Sequence, residues 1–223
     1  MIYVTGDTHG EFESFIDRNI QKKLKSKDML IICGDFGFIW DASIEEEKIL
    51  SKIGSFGFKV LFLDGNHENF DLLKKYKEES FAGGRVQHIC GNLYRLMRGH
   101  IYNLDGHSIF VFGGGESLEK EARLQENKWW KEEMPTSEEI SFAIKNLDSV
   151  NRKVDYILTH EPPGSIKNLI EKKVSNRLNF INTFFDSISK DVNFKTWFFG
   201  SLHTDKKFTS KYTAVFNKLI KIN

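Results

Sequence analysis

The sequence holds only three prolines and two cysteines in 223 residues. So few prolines, beside twenty phenylalanines, exclude a linker-rich or disordered chain and point to a well-filled interior. Cys33 and Cys90 stand far apart and form no Cys-x-x-Cys pair, so a disulfide framework is not indicated. Cys33 falls within the apolar run Met29 to Cys33 and reads as a buried, reduced thiol. Neither sign of charge dominates. Thirty-two basic and 31 acidic residues leave a net charge of +1, and no block of like charge is long enough to be an interaction tail. A strong nucleic-acid footprint is therefore missing, and Lys206 and Lys207 read as part of a solvated face. No apolar run approaches the roughly 20 residues that cross a bilayer. Met1 leads straight into a strand that delivers Asp7, which leaves no room for a basic-then-apolar leader. The expectation is a cytoplasmic chain with no membrane partner, folded as a single domain over residues 1–223. The sequence leaves the oligomeric state open.

What is present is a repeated pattern. Ile2 to Thr5, Leu30 to Cys33 and Lys59 to Leu63 are short strand-like runs, each closed by or followed by glycine. Between them, Phe12, Phe15, Ile16, Ile20 and Leu24 keep helical spacing over residues 11–25. Ser43 and Glu46 predict a capping box ahead of Ile49, Leu50 and Ile53. Alternation of strand and helix implies a largely parallel sheet. The middle of the chain changes character. Runs at 86–89, 93–97, 101–104 and 109–112, separated by Gly and Asn, predict antiparallel pairs. A second capping box, Thr136 with Glu139, opens another helix, and strands are expected at 156–158 and 196–199. A helical region is expected from Pro162-Pro163-Gly164 to about Lys190, and closing strands over 207–217.

The predicted strand ends carry a set of short motifs: Asp7-Thr8-His9, Gly34-Asp35, Gly65-Asn66-His67-Glu68, Thr159-His160, and Gly200-Ser201-Leu202-His203. Each alone is an ordinary turn. Together they place imidazole, carboxylate and amide donors at the carboxyl ends of strands, where α/β sheets build their sites. Such a donor set holds divalent ions. In this order the motifs resemble the calcineurin-like metallophosphoesterase superfamily. The resemblance covers nearly the whole chain, but only the metal motifs are specific. It implies a four-layer α/β/β/α sandwich of two mixed sheets. It also implies two divalent ions, Mn, Fe or Zn: Asp7, His9 and His203 on the first, Asn66 and His160 on the second, and Asp35 shared by both. The implied reaction is hydrolysis of a phosphate mono- or diester by in-line attack of a hydroxide activated on the metals, without a phosphoenzyme. His67 is the implied catalytic residue, protonating the leaving group. The other reading of His67 is a structural histidine that orients Asn66.

Two departures matter. Family members usually end in Gly-His-x-His, and here Ser201 replaces the first histidine. Serine's neutral hydroxyl is a poor ligand, so three outcomes are open: a second site that is weak but fills at high metal, an empty one that leaves a one-metal enzyme, or a protein that has lost catalysis and kept a binding role. Then Gly34-Asp35 is followed by Phe36-Gly37-Phe38 rather than the Asp and Arg of phosphoprotein phosphatases, which argues against that subclass and toward compact bacterial and phage-type members. The segment 116–135 carries Arg123, Trp129 and Trp130. These residues suggest a nucleotide or small phosphodiester substrate, by stacking and phosphate contact. The alternative is that both tryptophans pack the segment onto the body. Arg85, Arg98 and Trp40 have similar claims to substrate. Asp64 and Glu68 read as local hydrogen-bonding groups, and His88, His100 and His107 as ordinary histidines away from the motifs. The competing function is a catalytically weak or inactive metal-binding homologue that recognises a nucleotide or a partner protein.

Overall fold

A computed structural model of the chain describes residues 1–171 and 179–222. β1 (Ile2–Thr5), β2 (Met29–Cys33) and β3 (Lys59–Leu63) lie side by side in parallel. They are almost wholly apolar, as strands covered on both faces must be. The single helix expected over 11–25 is two short ones, α1 (Phe12–Asp17) and α2 (Ile20–Lys23). Asn19, left-handed at φ 58°, breaks the run. Arg18 turns inward there and donates to the Thr5 hydroxyl and to the carbonyls of Gly6, Asp7 and Phe216. The guanidinium thereby ties down the end of β1, where Asp7 begins.

α3 (Ile44–Gly54) has only half of its expected capping box. The Ser43 hydroxyl accepts from the Glu46 amide, but the Glu46 carboxylate accepts from the Trp40 and Asp41 amides instead. That choice fixes the loop leaving Asp35. After α4 (Phe70–Leu73) come β4 (Glu78–Phe81), β5 (Gly84–Cys90) and β6 (Leu93–Leu96), paired antiparallel, then the hairpin of β7 (His100–Leu104) and β8 (His107–Phe112). α5 (Lys120–Gln125) is short, and α6 (Ser137–Ser149) carries both halves of the Thr136–Glu139 box. β9 (Tyr156–Thr159) is followed by α7 (Gly164–Glu171) and α8 (Phe180–Asp191). The middle of the helical region expected up to Lys190 lies outside the described residues. β10 (Thr196–Phe199), β11 (Lys206–Lys207), β12 (Tyr212–Ala214) and β13 (Ile220–Ile222) complete the order.

Two mixed sheets result. One runs β13-β1-β2-β3-β6-β5-β4, the other β11-β12-β10-β9-β8-β7. Alternation along each strand sorts side chains into three apolar layers. Ile31 and Leu61 meet Val111 and Leu158 between the sheets. Leu30, Ile32 and Phe62 face the other way, onto Phe15 and Ile53 of the helices. Phe110 and Phe112 pack on Leu147, Phe185 and Ile188 on the far side. This is the expected α/β/β/α sandwich. Among the described residues, no helix is long and apolar enough to cross a membrane.

One buried ionic cluster links the fold to the ligand-bearing loops. Asp64, fully buried at the end of β3, accepts from Arg95 at 2.8 Å on Oδ1 and from Arg98 at 2.8 Å on Oδ2. Burial opposes its ionisation, but Arg98 and Arg95 hold its pKa at about 2. Arg98 also reaches the Glu132 carbonyl and Glu139, so it is spoken for within the fold and is not a substrate contact. Asp64→Ala would leave two buried guanidinium groups short of their counter-charge. It should cost about 3–5 kcal/mol of stability, read by urea unfolding. A loss below about 1 kcal/mol would mean that water replaces the carboxylate without penalty.

Candidate metal centre

Five parallel strands end at one place. β1 delivers Asp7 and His9, β2 Asp35, β3 Asn66 and His67, β9 His160, and β10 His203. The turns that converge there are tight. His9, Asp35, Ser201 and His203 all adopt positive φ, between 44° and 51°. Such conformations are uncommon for side-chain-bearing residues and collect at functional sites. Two glycines provide room. A Cβ on Gly65 would strike the Asp35 carboxylate, and one on Gly200 would strike that of Asp7.

The structure brings all seven predicted residues together. His9 Nε2 and His203 Nε2 are 3.0 Å apart, and His203 Nε2 is 3.1 Å from Asp7 Oδ2. Asp35 lies at the middle. Its Oδ1 accepts from the Asn66 and His67 amides at 2.8 and 2.9 Å, and its Oδ2 is 2.8 Å from His67 Nδ1 and 3.8 Å from His9 Nδ1. His160 Nε2 is 2.9 Å from the Asn66 carboxamide oxygen and 3.6 Å from Asp35 Oδ1, while its Nδ1 is 3.6 Å from Asp7 Oδ1. Among the described residues, three overlapping trios have ligand atoms within 4.8 Å of one another: Asp7–His9–His203, His9–Asp35–His67 and Asp7–Asp35–His160.

The arrangement fits divalent ions. Asp7 Oδ2 is buried and accepts no hydrogen bond of acceptable geometry, despite the nearby imidazole. Two imidazole nitrogens facing each other at 3.0 Å suit a shared cation better than each other. The electrostatics agree. Burial disfavours the charged form of His160, yet Asp35 and Asp7 raise its pKa to about 10. Burial likewise opposes ionisation of Asp7 and Asp35, but His160 foremost holds both below the usual carboxylate range. The Asp7 carboxylate, 3.1 Å from its Nε2, raises the pKa of His203, whereas burial lowers that of His9. The buried pocket calls for positive charge, and imidazole, carboxylate and amide oxygen are donors for Mn, Fe or Zn.

Around this core, Glu68 is fully buried and accepts from the Phe36 and Gly37 amides at 2.8 and 3.3 Å. Burial and then the Asp35 charge push its pKa up to about 8. It fixes the loop after Asp35. A cavity of about 390 Å³ opens over the centre, lined by Asp35, Asn66, His67, His160 and His203, with Arg123 and Lys167 on its walls. Ser201 also lines it, and its hydroxyl is buried without a partner among the described residues.

Trp129 and Trp130 are not among the cavity's lining residues. Trp130 packs edge-on against Trp40 and donates to Asp71, and Trp129 sits under Lys120. Arg85 pairs with Glu78 on β4. Of the suggested substrate contacts, only Arg123 reaches the cavity. Sequence reasoning missed Arg18 and Ser117. The only hint of Arg18 was a charged residue inside an amphipathic run, and Ser117 had no signal at all.

The family model of calcineurin-like phosphoesterases matches residues 1–205, so the chain belongs to that family of metal-dependent phosphoester hydrolases. No curated protein sequence matches it. Among solved structures, the crystal structure of a phosphopantetheinyl hydrolase from Mycobacterium tuberculosis is similar at 15% identity and a TM-score of 0.45. That alignment covers 96% of this chain and 89% of the other, a likeness too loose to carry an argument about substrate.

Proposed function

We propose that this chain hydrolyses a small phosphate mono- or diester with the help of one strong and one weaker divalent ion. The observation that carries the reading is the convergence of six nitrogen and oxygen donors from five strand ends, among them a buried Asp7 oxygen that accepts no well-formed hydrogen bond among the described residues. Asp7, His9 and His203 would hold the first ion, Asn66 and His160 the second, and Asp35 would touch both. Bound ions would supply Lewis-acid activation of a water and neutralise charge on the phosphoryl oxygens. The chain's own residues do the rest. Asp35 is kept ionised by His160 and His67. Glu68 and Arg18 lock the loops that carry Asp35 and Asp7. His67, at the cavity wall with Nδ1 on Asp35, has Nε2 left to protonate the departing alkoxide. Arg123 and Lys167 add positive charge to a cavity large enough for a small ester. Turnover of bis(p-nitrophenyl) phosphate against p-nitrophenyl phosphate across a manganese titration tests the reading. Metal-dependent release from either supports it, and the faster ester assigns the class. No release from either at saturating metal rejects it.

Ser201 favours a second reading, a homologue that binds metal and a nucleotide or partner but turns over weakly. Its short side chain cannot replace an imidazole ligand, and its buried hydroxyl has no partner among the described residues. Ser201→His should tighten the weaker manganese site by roughly tenfold or more, on the scale that ligand support commands, and raise turnover at limiting metal. Unchanged affinity and turnover would mean that position 201 does not face the second ion.

A further inference from the structure

Asn66 raises a question that a carboxylate ligand does not. Its carboxamide can present oxygen or nitrogen, and only the oxygen can ligate a cation. The segment between β8 and α6 answers it. Ser117 and Arg123, both more than nine-tenths buried, lie against Asn66. Asn66 Nδ2 donates to the Ser117 hydroxyl at 3.3 Å, while Oδ1 faces His160 Nε2 at 2.9 Å. Arg123 Nη1 donates to the Asn66 carbonyl at 2.8 Å and also to the Ser117 hydroxyl oxygen. Glu133, itself buried, pairs with the same guanidinium nitrogen at 3.0 Å. A buried ion pair is poor value as a source of stability. Here it holds a cation against the backbone and side-chain support of one ligand.

We infer that Ser117 and Arg123 are positioning residues for the second metal position: they hold the Asn66 carboxamide oxygen toward His160 and keep that position formed where Ser201 contributes no ligand. The inference rests on the proposed two-ion reading. Flipping the amide would turn Nδ2 toward His160 and take from the Ser117 oxygen the amide donor it now accepts, so the observed orientation is the one that presents Oδ1 to the second position. Supporting partners of this kind typically govern metal affinity by about 10–100-fold.

The test is a manganese titration of the whole chain, followed by calorimetry and by the spin signal of free manganese. Wild type is compared with Ser117→Ala and Arg123→Met. Ser117→Ala removes only the hydroxyl and keeps the Arg123–Glu133 pair, so it remains informative if Arg123→Met folds poorly. The weaker site should loosen by about 10–100-fold in each variant, with the tighter site moved less than about threefold. In Ser117→Ala, turnover lost at low manganese should return at high manganese. Equal weakening of both sites, or a weaker site unchanged in Ser117→Ala, would overturn the positioning role while wild type still bound two ions. A wild type that bound no manganese would instead overturn the two-ion reading and the inference with it.

Discussion

Asp35→Asn should abolish metal-dependent turnover while leaving the fold intact. Asp35 lies at the middle of the centre, against Asn66 on one side and within 3.8 Å of His9 on the other. One oxygen accepts from two backbone amides, and the other faces His67 and approaches His9. Asparagine keeps the shape but replaces one oxygen with a donor. If Nδ2 sits at the Oδ1 position, it confronts the amides of Asn66 and His67. If it sits at the Oδ2 position, it can reach His67 but cannot ligate a cation. Either way the charge shared between the ions is gone. The loss of activity should exceed the roughly 10–100-fold that removal of a supporting partner costs, and bound metal should fall to one ion per chain or fewer. The metal-free variant should still fold but melt below metal-free wild type, because the substitution removes the carboxylate charge that faces His160 and accepts from the Asn66 and His67 amides. Elemental analysis, a thermal melt and the diester assay read these three outcomes. Turnover within a few-fold of wild type would remove Asp35 from its assigned role.

His67→Ala should slow turnover by about 10²–10⁴-fold, the usual range for loss of a general acid, while retaining bound metal. The side chain is 42% exposed at the cavity wall, with Nδ1 held by Asp35 and Nε2 left over. An acid matters most when the leaving group is poor. The defect should therefore be large for an alkyl ester and small for a nitrophenyl ester, whose leaving group needs no proton. A ligand or purely structural role predicts another pattern. His9, Asp35 and His67 also form a compact trio of donors, so a ligating His67 would lose metal and slow both esters alike.

The cluster of candidate ligands was legible because each donor follows a short apolar run and a glycine or small residue, which marks where a buried strand must turn. The strand–helix alternation through β3 and the Thr136–Glu139 cap were legible for the same reason: they are local. What escaped depends on distant partners. Arg98 reads as a candidate substrate contact until Asp64 is placed beside it. Asn19 does not reveal that the helix breaks to turn Arg18 onto the end of β1. Glu46 fits a capping box by spacing, yet the loop amides of Trp40 and Asp41 capture it first. β4 is short and polar, and β13 is only three residues long, so neither stands out from loop sequence. Ser117 matters because the segment after β8 folds back over Asn66, which no periodicity records.

The most direct measurement is the number of divalent ions bound per chain at saturation, taken on the same samples as diester turnover, before and after chelation. The account predicts one ion that survives dialysis, a second that binds more weakly, and turnover that vanishes with chelator and returns as the second ion is restored. Turnover that persists in a chain stripped of metal, or a chain that never takes up an ion, would contradict it.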